Sequence, residues 1–331
     1  MKAGNQSVTL LQRRTRALTD ALPGAISGDP AALHRARVAT RRLREALPVS
    51  GAGVNGGKRK RVRRLVRRLT RALGTVRELD VALQILEERA DAEDAQGSAI
   101  DRARGVVRLE RQTRREEMLR RLSRINLEKL QRRLSEFVTQ LEASPADAWR
   151  RALAARLVHR SRRLDQAISR AGSMYVPVRL HAVRIAAKKL RYALELAGES
   201  GILEARPHVT TVKRAQTALG RLQDLQVVLR QVDRASAERG LDPPSRAGLA
   251  ILARSLEEDA RRAHGRYLRF APRLTVVAAA VRQRIVPSLA ATTRRRPARM
   301  KARLRQGFRL RHGYGGQAGG HGRGAGQRKQ A

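Results

Sequence analysis

Fifteen residues near the start of the chain, Leu33 to Leu47 (LHRARVATRRLREAL), return in its second half as Leu180 to Leu194 (LHAVRIAAKKLRYAL). Eight positions are identical, and three more exchange Val for Ile or Arg for Lys, so chemistry is kept where the letter changes. Read as a helix at about 100° per residue, His34, Arg37, Arg41 and Arg44 form one stripe, with Ala36, Leu43, Ala46 and Leu47 opposite. His181, Arg184, Lys188 and Arg191 repeat the charged stripe. Burial accounts for the apolar side. It does not account for one His and three cations held in register twice, so the repeat reads as an internal duplication with a shared charged face.

The rest of the chain fits around these helices. An amphipathic helix over 7–22 precedes Pro23-Gly24, and Asp29-Pro30 supplies an N-cap and a first-turn proline for the helix that carries His34. Pro177 stands at the same offset before His181, with Val176 as a poor cap. Both His residues therefore lie near helix N-termini, where unpaired backbone N–H groups favour an anion. A long helix over 58–94 follows the Gly51–Gly57 turn, burying Val62, Leu65, Leu69, Leu73, Val76 and Leu83. Lys60, Arg64, Arg67, Arg68 and Arg71 stand on its other side. Its counterpart runs over 206–234, and pairing Leu73-Gly74 with Leu219-Gly220 aligns Arg67 with Lys213 and Arg68 with Arg214. Arg64 and Arg71 face Thr210 and Thr217, which leaves the second half a thinner basic surface.

Further helices are predicted over 99–122, 126–142, 147–171, 178–198, 245–269 and 272–286. The expected fold is all-α: two duplicated antiparallel helical bundles, over about 7–142 and 147–286, form one compact domain (7–292) with a basic central cavity. From Thr293 to Ala331 the chain is Gly-rich and carries twelve Lys or Arg and no acid, a composition that predicts a disordered basic tail.

Charge narrows the function. Lys and Arg number 72 against 29 Asp and Glu, a formal net charge of +43, far beyond what solubility requires. Such a field calls for a polyanionic partner. Only nine of the cations are Lys, and the Arg fork engages phosphate oxygens in pairs. GC-rich codon usage accounts for Arg over Lys but removes no acids. Cysteine is absent, which excludes disulfides and thiolate metal sites. The N-terminal residues lack a signal-peptide core, and no run of about 18 apolar residues reads as a membrane span, so a cytoplasmic location without membrane attachment is expected.

The two His-x-x-Arg-x-x-x-Arg/Lys-Arg/Lys-x-x-Arg helices, together with the Leu73–Val81 and Leu219–Val227 segments, resemble the CHAD family, the conserved histidine α-helical domain. The resemblance spans about 7–286. It implies a duplicated helical domain that binds inorganic polyphosphate in a basic central cavity and associates with polyphosphate granules, where granule-associated proteins are further candidate partners. Carried across, it implicates His34, Arg37, Arg41, Arg42, Arg44, Arg67 and Arg68, with His181, Arg184, Lys188, Lys189, Arg191, Lys213 and Arg214. Gln223 standing opposite Arg77 is a departure at the edge of this set. Cations three and four residues apart on a helix lie about 5–6 Å apart at Cβ, a spacing that suits successive phosphates of a linear chain.

No catalyst is expected. The seven His are scattered, no metal-ligand spacing appears, and Gly51–Gly57 does not match a phosphate-binding P-loop, so neither metal nor cofactor is anticipated. Acids at Glu78, Asp80 and Asp224 read as positioning groups for neighbouring Arg side chains or as ordinary surface pairs, not as acid/base catalysts. The competing reading is nonspecific DNA or RNA binding through the basic surface and tail. Against it stands the shortage of stacking platforms: the chain has one Trp, three Phe and four Tyr, with Tyr192 the sole aromatic of the duplicated helices.

Overall fold

The computed structural model describes residues 3–74, 76–90, 97–143, 148–201 and 203–294. Among them are ten α-helices and one 3₁₀ turn, with no strand: α1 (Ala3–Ile26), α2 (Pro30–Ser50), α3 (Gly56–Ala72), α4 (Arg77–Ala90), α5 (Gly97–Ser123), α6 (Leu127–Glu142), α7 (Ala148–Ala171), α8 (Pro177–Glu199), α9 (Arg206–Ser236) and α10 (Pro243–Arg294). The all-α class is therefore as expected. Residues 1–287 form one unit and 288–331 a second. The predicted disordered tail falls almost wholly outside the described residues.

Short connections fold neighbouring helices back on one another. Between α1 and α2 the chain turns at Gly28 with φ +88°, a conformation that disfavours side chains with a Cβ, and Arg115 of α5 donates to its carbonyl at 2.9 Å. Gly172, with φ +60°, turns the chain between α7 and α8. Asp29 caps α2 as expected, its carboxylate accepting from the Ala31 and Ala32 amides at 3.1 and 2.9 Å. Val176 gives α8 no side-chain cap.

Leu and Ala carry the packing. Leu43, Ala46 and Leu47 of α2 and Ala187, Leu190 and Leu194 of α8 are all fully buried, so the apolar side of each of these sequence-similar helices does what its pattern requires. One core cluster draws on both halves of the chain, uniting Leu79, Ile85 and Leu86 of α4, Ile100 and Val107 of α5, Leu225, Val228 and Val232 of α9, and Leu249, Leu252 and Leu256 of α10. Buried ion pairs tie helices distant in sequence. Glu45 of α2 accepts from Arg156 Nε of α7 at 2.9 Å and from Arg160 at 3.3 Å. Arg14 of α1 donates to the Arg42 carbonyl at 3.0 Å and to Glu199 of α8 at 3.3 Å.

Two predicted boundaries are corrected. The single helix expected over 58–94 is two, α3 and α4, separated at Leu73–Val76. Its counterpart α9 runs unbroken through Leu219-Gly220. After Gly74 come Thr and Val, β-branched and weak helix formers, whereas Arg and Leu follow Gly220. The helices expected over 245–269 and 272–286 are one, α10, which continues through Pro272. Tyr267, Leu274, Ala278 and Val281 are buried on both sides of the proline, and this continuous apolar face holds the helix across the lost N–H.

Candidate functional site

The charged stripes of α2 and α8 meet. Arg41 and Arg42 of α2, Arg184, Lys188 and Arg191 of α8, and Lys213 of α9 line a cleft of about 400 Å³ together with Val38, Tyr192, Glu195 and Gln216. Six cations thus share a cleft with one carboxylate, and Glu195 is already 3.7 Å from Arg191, one helical turn away. The Arg191 guanidinium also lies over the Tyr192 ring, 4.9 Å from its centroid.

Arg37 does not line the cleft but lies within electrostatic reach of it. Burial brings the Lys188 ammonium down to about 7, and Arg41, Arg184, Arg191 and Arg37 push in the same direction. Burial, then Arg41 and Arg77, lowers Arg37 to about 10 against the opposing pull of Glu78 and Asp80. Arg37 donates through Nη1 to the Leu73 carbonyl at 2.5 Å, so one side chain both faces the cleft cations and closes the C-terminal end of α3. Deeper on α9, burial raises the Asp224 carboxyl above its usual range, with Arg184 opposing. A cluster of like charges in a concave, part-buried site is one where contact with an anion would offset part of the cost of desolvating the cations.

The remaining predicted residues divide. His181 is exposed, its Nδ1 2.5 Å from the Gln223 Oε1, and His34 is exposed on the first turn of α2; neither lines the cleft. At the α2 N-terminus, moreover, Asp29 already occupies two of the backbone donors that were expected to await an anion. Arg67 and Arg68 are exposed on the side of α3 opposite buried Val62, Val66 and Leu69, away from the cleft, and Arg214 is likewise exposed outside it. Lys189 lines a different groove, between α7 and α8, because consecutive helical residues point about 100° apart. Arg44 lies within electrostatic reach of Lys189 and Arg160 and does not line the cleft. Sequence reasoning had not selected Val38, Tyr192, Glu195 and Gln216 as lining residues; Glu195 carried a signal, its i+4 spacing from Arg191. Asp80 does position an arginine, accepting from Arg111 Nε at 2.7 Å.

Among the described residues no cluster of three or more His, Cys, Asp or Glu could hold a metal, and no helix is long and apolar enough to cross a membrane. No curated protein matches the chain. Two solved structures share its fold: PptA from Streptomyces chartreusis, at 16% identity and TM-score 0.59 over 82% of this chain and 99% of that one, and the CHAD domain from the plant Ricinus communis, at 22% identity and TM-score 0.54 over 86% and 92%. The CHAD domain family model matches residues 9–233, which leaves α10 outside the match. With two thirds of its length under that match, and with the helical fold to go with it, the chain belongs to the CHAD domain family.

Proposed function

We propose that this chain is a non-catalytic receptor for inorganic polyphosphate, held in the α2/α8/α9 cleft and acting in the cytoplasm at polyphosphate granules. The supporting observation is the meeting of the two stripes: Arg41 and Arg42 from one copy and Arg184, Lys188 and Arg191 from the other line one cleft with a single carboxylate among the lining residues, and Arg37 lies within electrostatic reach of Lys188. A linear polyanion with one charge per phosphate answers that arrangement, because successive phosphates engage successive cations and no aromatic platform or shaped base pocket is required. The alignment of a general base with a nucleophile that hydrolysis would need is not part of this reading.

The test is a competition titration at near-physiological salt. Labelled long-chain polyphosphate is displaced from the protein by unlabelled polyphosphate or by duplex DNA matched in total phosphate. The expected result is a preference for polyphosphate of about a hundredfold or more, equivalent to about 2.7 kcal/mol. The combined replacement of Arg37, Arg41, Arg184 and Lys188 by Gln should abolish it. If DNA competes equally and the replacements lower both affinities in step, the surface is a general polyanion binder and the proposal fails. Binding should also weaken linearly in log–log fashion with salt, as counterion release requires.

A further inference from the structure

A second basic concavity lies apart from the cleft. Helices α7 and α8, joined by the short turn at Gly172, run antiparallel and leave between them a groove of about 490 Å³. Its lining repeats every turn on both walls: His159, Arg160, Arg163, Gln166, Ala167 and Arg170 on α7, and Val178, Arg179, Ala182, Ile185, Ala186 and Lys189 on α8. The floor is aliphatic. Val178, 80% exposed, continues that floor to the end of the groove beside the turn. The rims are cationic, no acid lines the groove, and among the described residues Arg163, Arg170 and Arg179 form no ion pair. Arg160 is engaged by Glu45 at 3.3 Å. Burial and the cations Arg160, Arg163, Arg156 and Lys189 hold His159 below its ordinary range, and burial first, then Arg160, does the same to Lys189.

Inorganic polyphosphate does not explain such a site, since it has nothing to lay on Val178, Ala182, Ile185 and Ala186. A second copy of the chain, at +43, and the chain's own basic C-terminal segment are both repelled by the rims. A single-headed amphiphile would neutralise one end only, whereas the cations stand at both ends: Arg170 and Arg179 beside the turn, Arg160, Arg163 and Lys189 about two to three turns away.

We propose that the α7–α8 groove docks an acidic amphipathic helix of a partner protein. Its aliphatic stripe covers the Val178–Ala182–Ile185–Ala186 floor, and carboxylates about two turns apart on one side meet Arg163 and Arg170 while carboxylates about three turns apart on the other meet Arg179 and Lys189. This is the helix-in-groove mode with the charge pattern set by the receptor. It would tether a partner on a face distinct from the polyphosphate cleft, and does not depend on what that cleft holds.

The probe is an acetylated peptide of about 20 residues, long enough for five turns, with Leu at i, i+3, i+4 and i+7 and Glu flanking the stripe. Its control is a scrambled isomer of identical composition. Both are titrated by fluorescence anisotropy against the full chain at near-physiological salt. The patterned peptide should bind at least about tenfold more tightly than the isomer, about 1.4 kcal/mol. That preference should vanish in Val178→Asp/Ala182→Asp, which alters exposed positions, and in Arg163→Glu/Arg179→Glu, with helicity by circular dichroism showing both variants folded. Equal binding of the two peptides, or a preference that survives either variant, overturns the proposal. So do displacement of the patterned peptide by decyl phosphate at equal concentration, which would make the groove a small-amphiphile site, and a groove-dependent dimer in sedimentation. Because the readout is the difference between isomers, its failure leaves the polyphosphate titration unaffected.

Discussion

Lys188 makes the cleft sensitive to pH in a way that can be worked out in advance. Free, its ammonium is held down to about 7 by burial and by Arg41, Arg184, Arg191 and Arg37. Facing a phosphate it returns toward the ordinary lysine value of about 10.4, because the anion stabilises the charged form. Binding therefore takes up a proton wherever the free lysine is neutral and the bound one charged. Affinity falls about tenfold for each pH unit well above the free pKa, and the integrated loss from pH 6 to pH 8 is about tenfold, or about 1.4 kcal/mol. Isothermal titration of polyphosphate in buffers of different ionisation enthalpy reads both the affinity and the proton uptake. Lys188→Arg stays charged throughout, so it should lose this tenfold slope and bind more tightly than the native chain at pH 8; Lys188→Met should also lose the slope, at lower affinity at pH 6. Contributions from other titrating groups are common to all three proteins and cancel in the comparison. Stability carries the opposite sign. With the folded pKa lowered, the unfolded chain binds more protons between about 7 and about 10.4, so native stability rises with pH across that window. Lys188→Met should accordingly melt higher than the native chain at pH 6 and lose the advantage toward pH 10. A native affinity flat between pH 6 and pH 8, or a slope that survives in Lys188→Met, refutes the reasoning.

Three other perturbations separate the site from its scaffold. Arg41→Gln/Arg184→Gln should weaken polyphosphate binding by at least about tenfold, whereas Arg67→Gln/Arg68→Gln, at exposed positions outside the cleft, should change it by less than about threefold at matched salt in the same titration. Glu45→Gln leaves Arg156 and Arg160 without their carboxylate at the α2–α7 contact and should lower stability in urea unfolding by about 2–4 kcal/mol. Asp29→Ala removes the side-chain cap from the Ala31 and Ala32 amides and should cost about 1 kcal/mol by the same measurement.

How much of this could be read beforehand depends on the kind of signal. The period-3.6 pattern of Leu and Ala gave the all-α class and the inward faces of α2 and α8, since burial is a property of one helix at a time. The Asp29 cap and the weak Val176 start were legible for the same local reason. What the stripes would meet was not local. Lys188 and Lys189 are neighbours in sequence with the same chemistry, yet one lines the cleft and the other the α7–α8 groove, and only the packing of α8 between α2, α7 and α9 separates them. The alignment of Arg67 with Lys213 failed similarly, because α9 lies along α8 with Lys213 at the cleft whereas Arg67 turns outward from α3. At Pro272 local chemistry predicted a stop, and the continuous buried face of α10 overrode it.

The distribution of the acids is what makes the cleft more than a sample of a basic surface. With 29 carboxylates for 72 cations, acids are scarce, and beside exposed pairs within single helices several of them bridge helices. Glu45 with Arg156 and Arg160 ties α2 to α7, Asp80 with Arg111 ties α4 to α5, Glu199 with Arg13 and Arg14 ties α8 to α1, Asp165 with Arg282 ties α7 to α10, and Asp259 with Arg89 ties α10 to α4. Arg14, Arg89, Arg156 and Arg160 in these pairs are largely desolvated and would otherwise destabilise the packing. At the meeting of α2 and α8, Lys188 and Arg37 are as desolvated as several of those tied arginines, yet Glu195, 3.7 Å from Arg191, is the one carboxylate lining the cleft, while Arg37 feels Glu78 and Asp80 and donates to the Leu73 carbonyl. A chain that neutralises its buried cations elsewhere and leaves these ones facing each other carries an unfavourable local term that packing of Leu43, Ala187 and Leu190 must offset. An anion would relieve the excess charge that Glu195 leaves in the cleft, so ligand should raise the melting temperature more at low salt than at high.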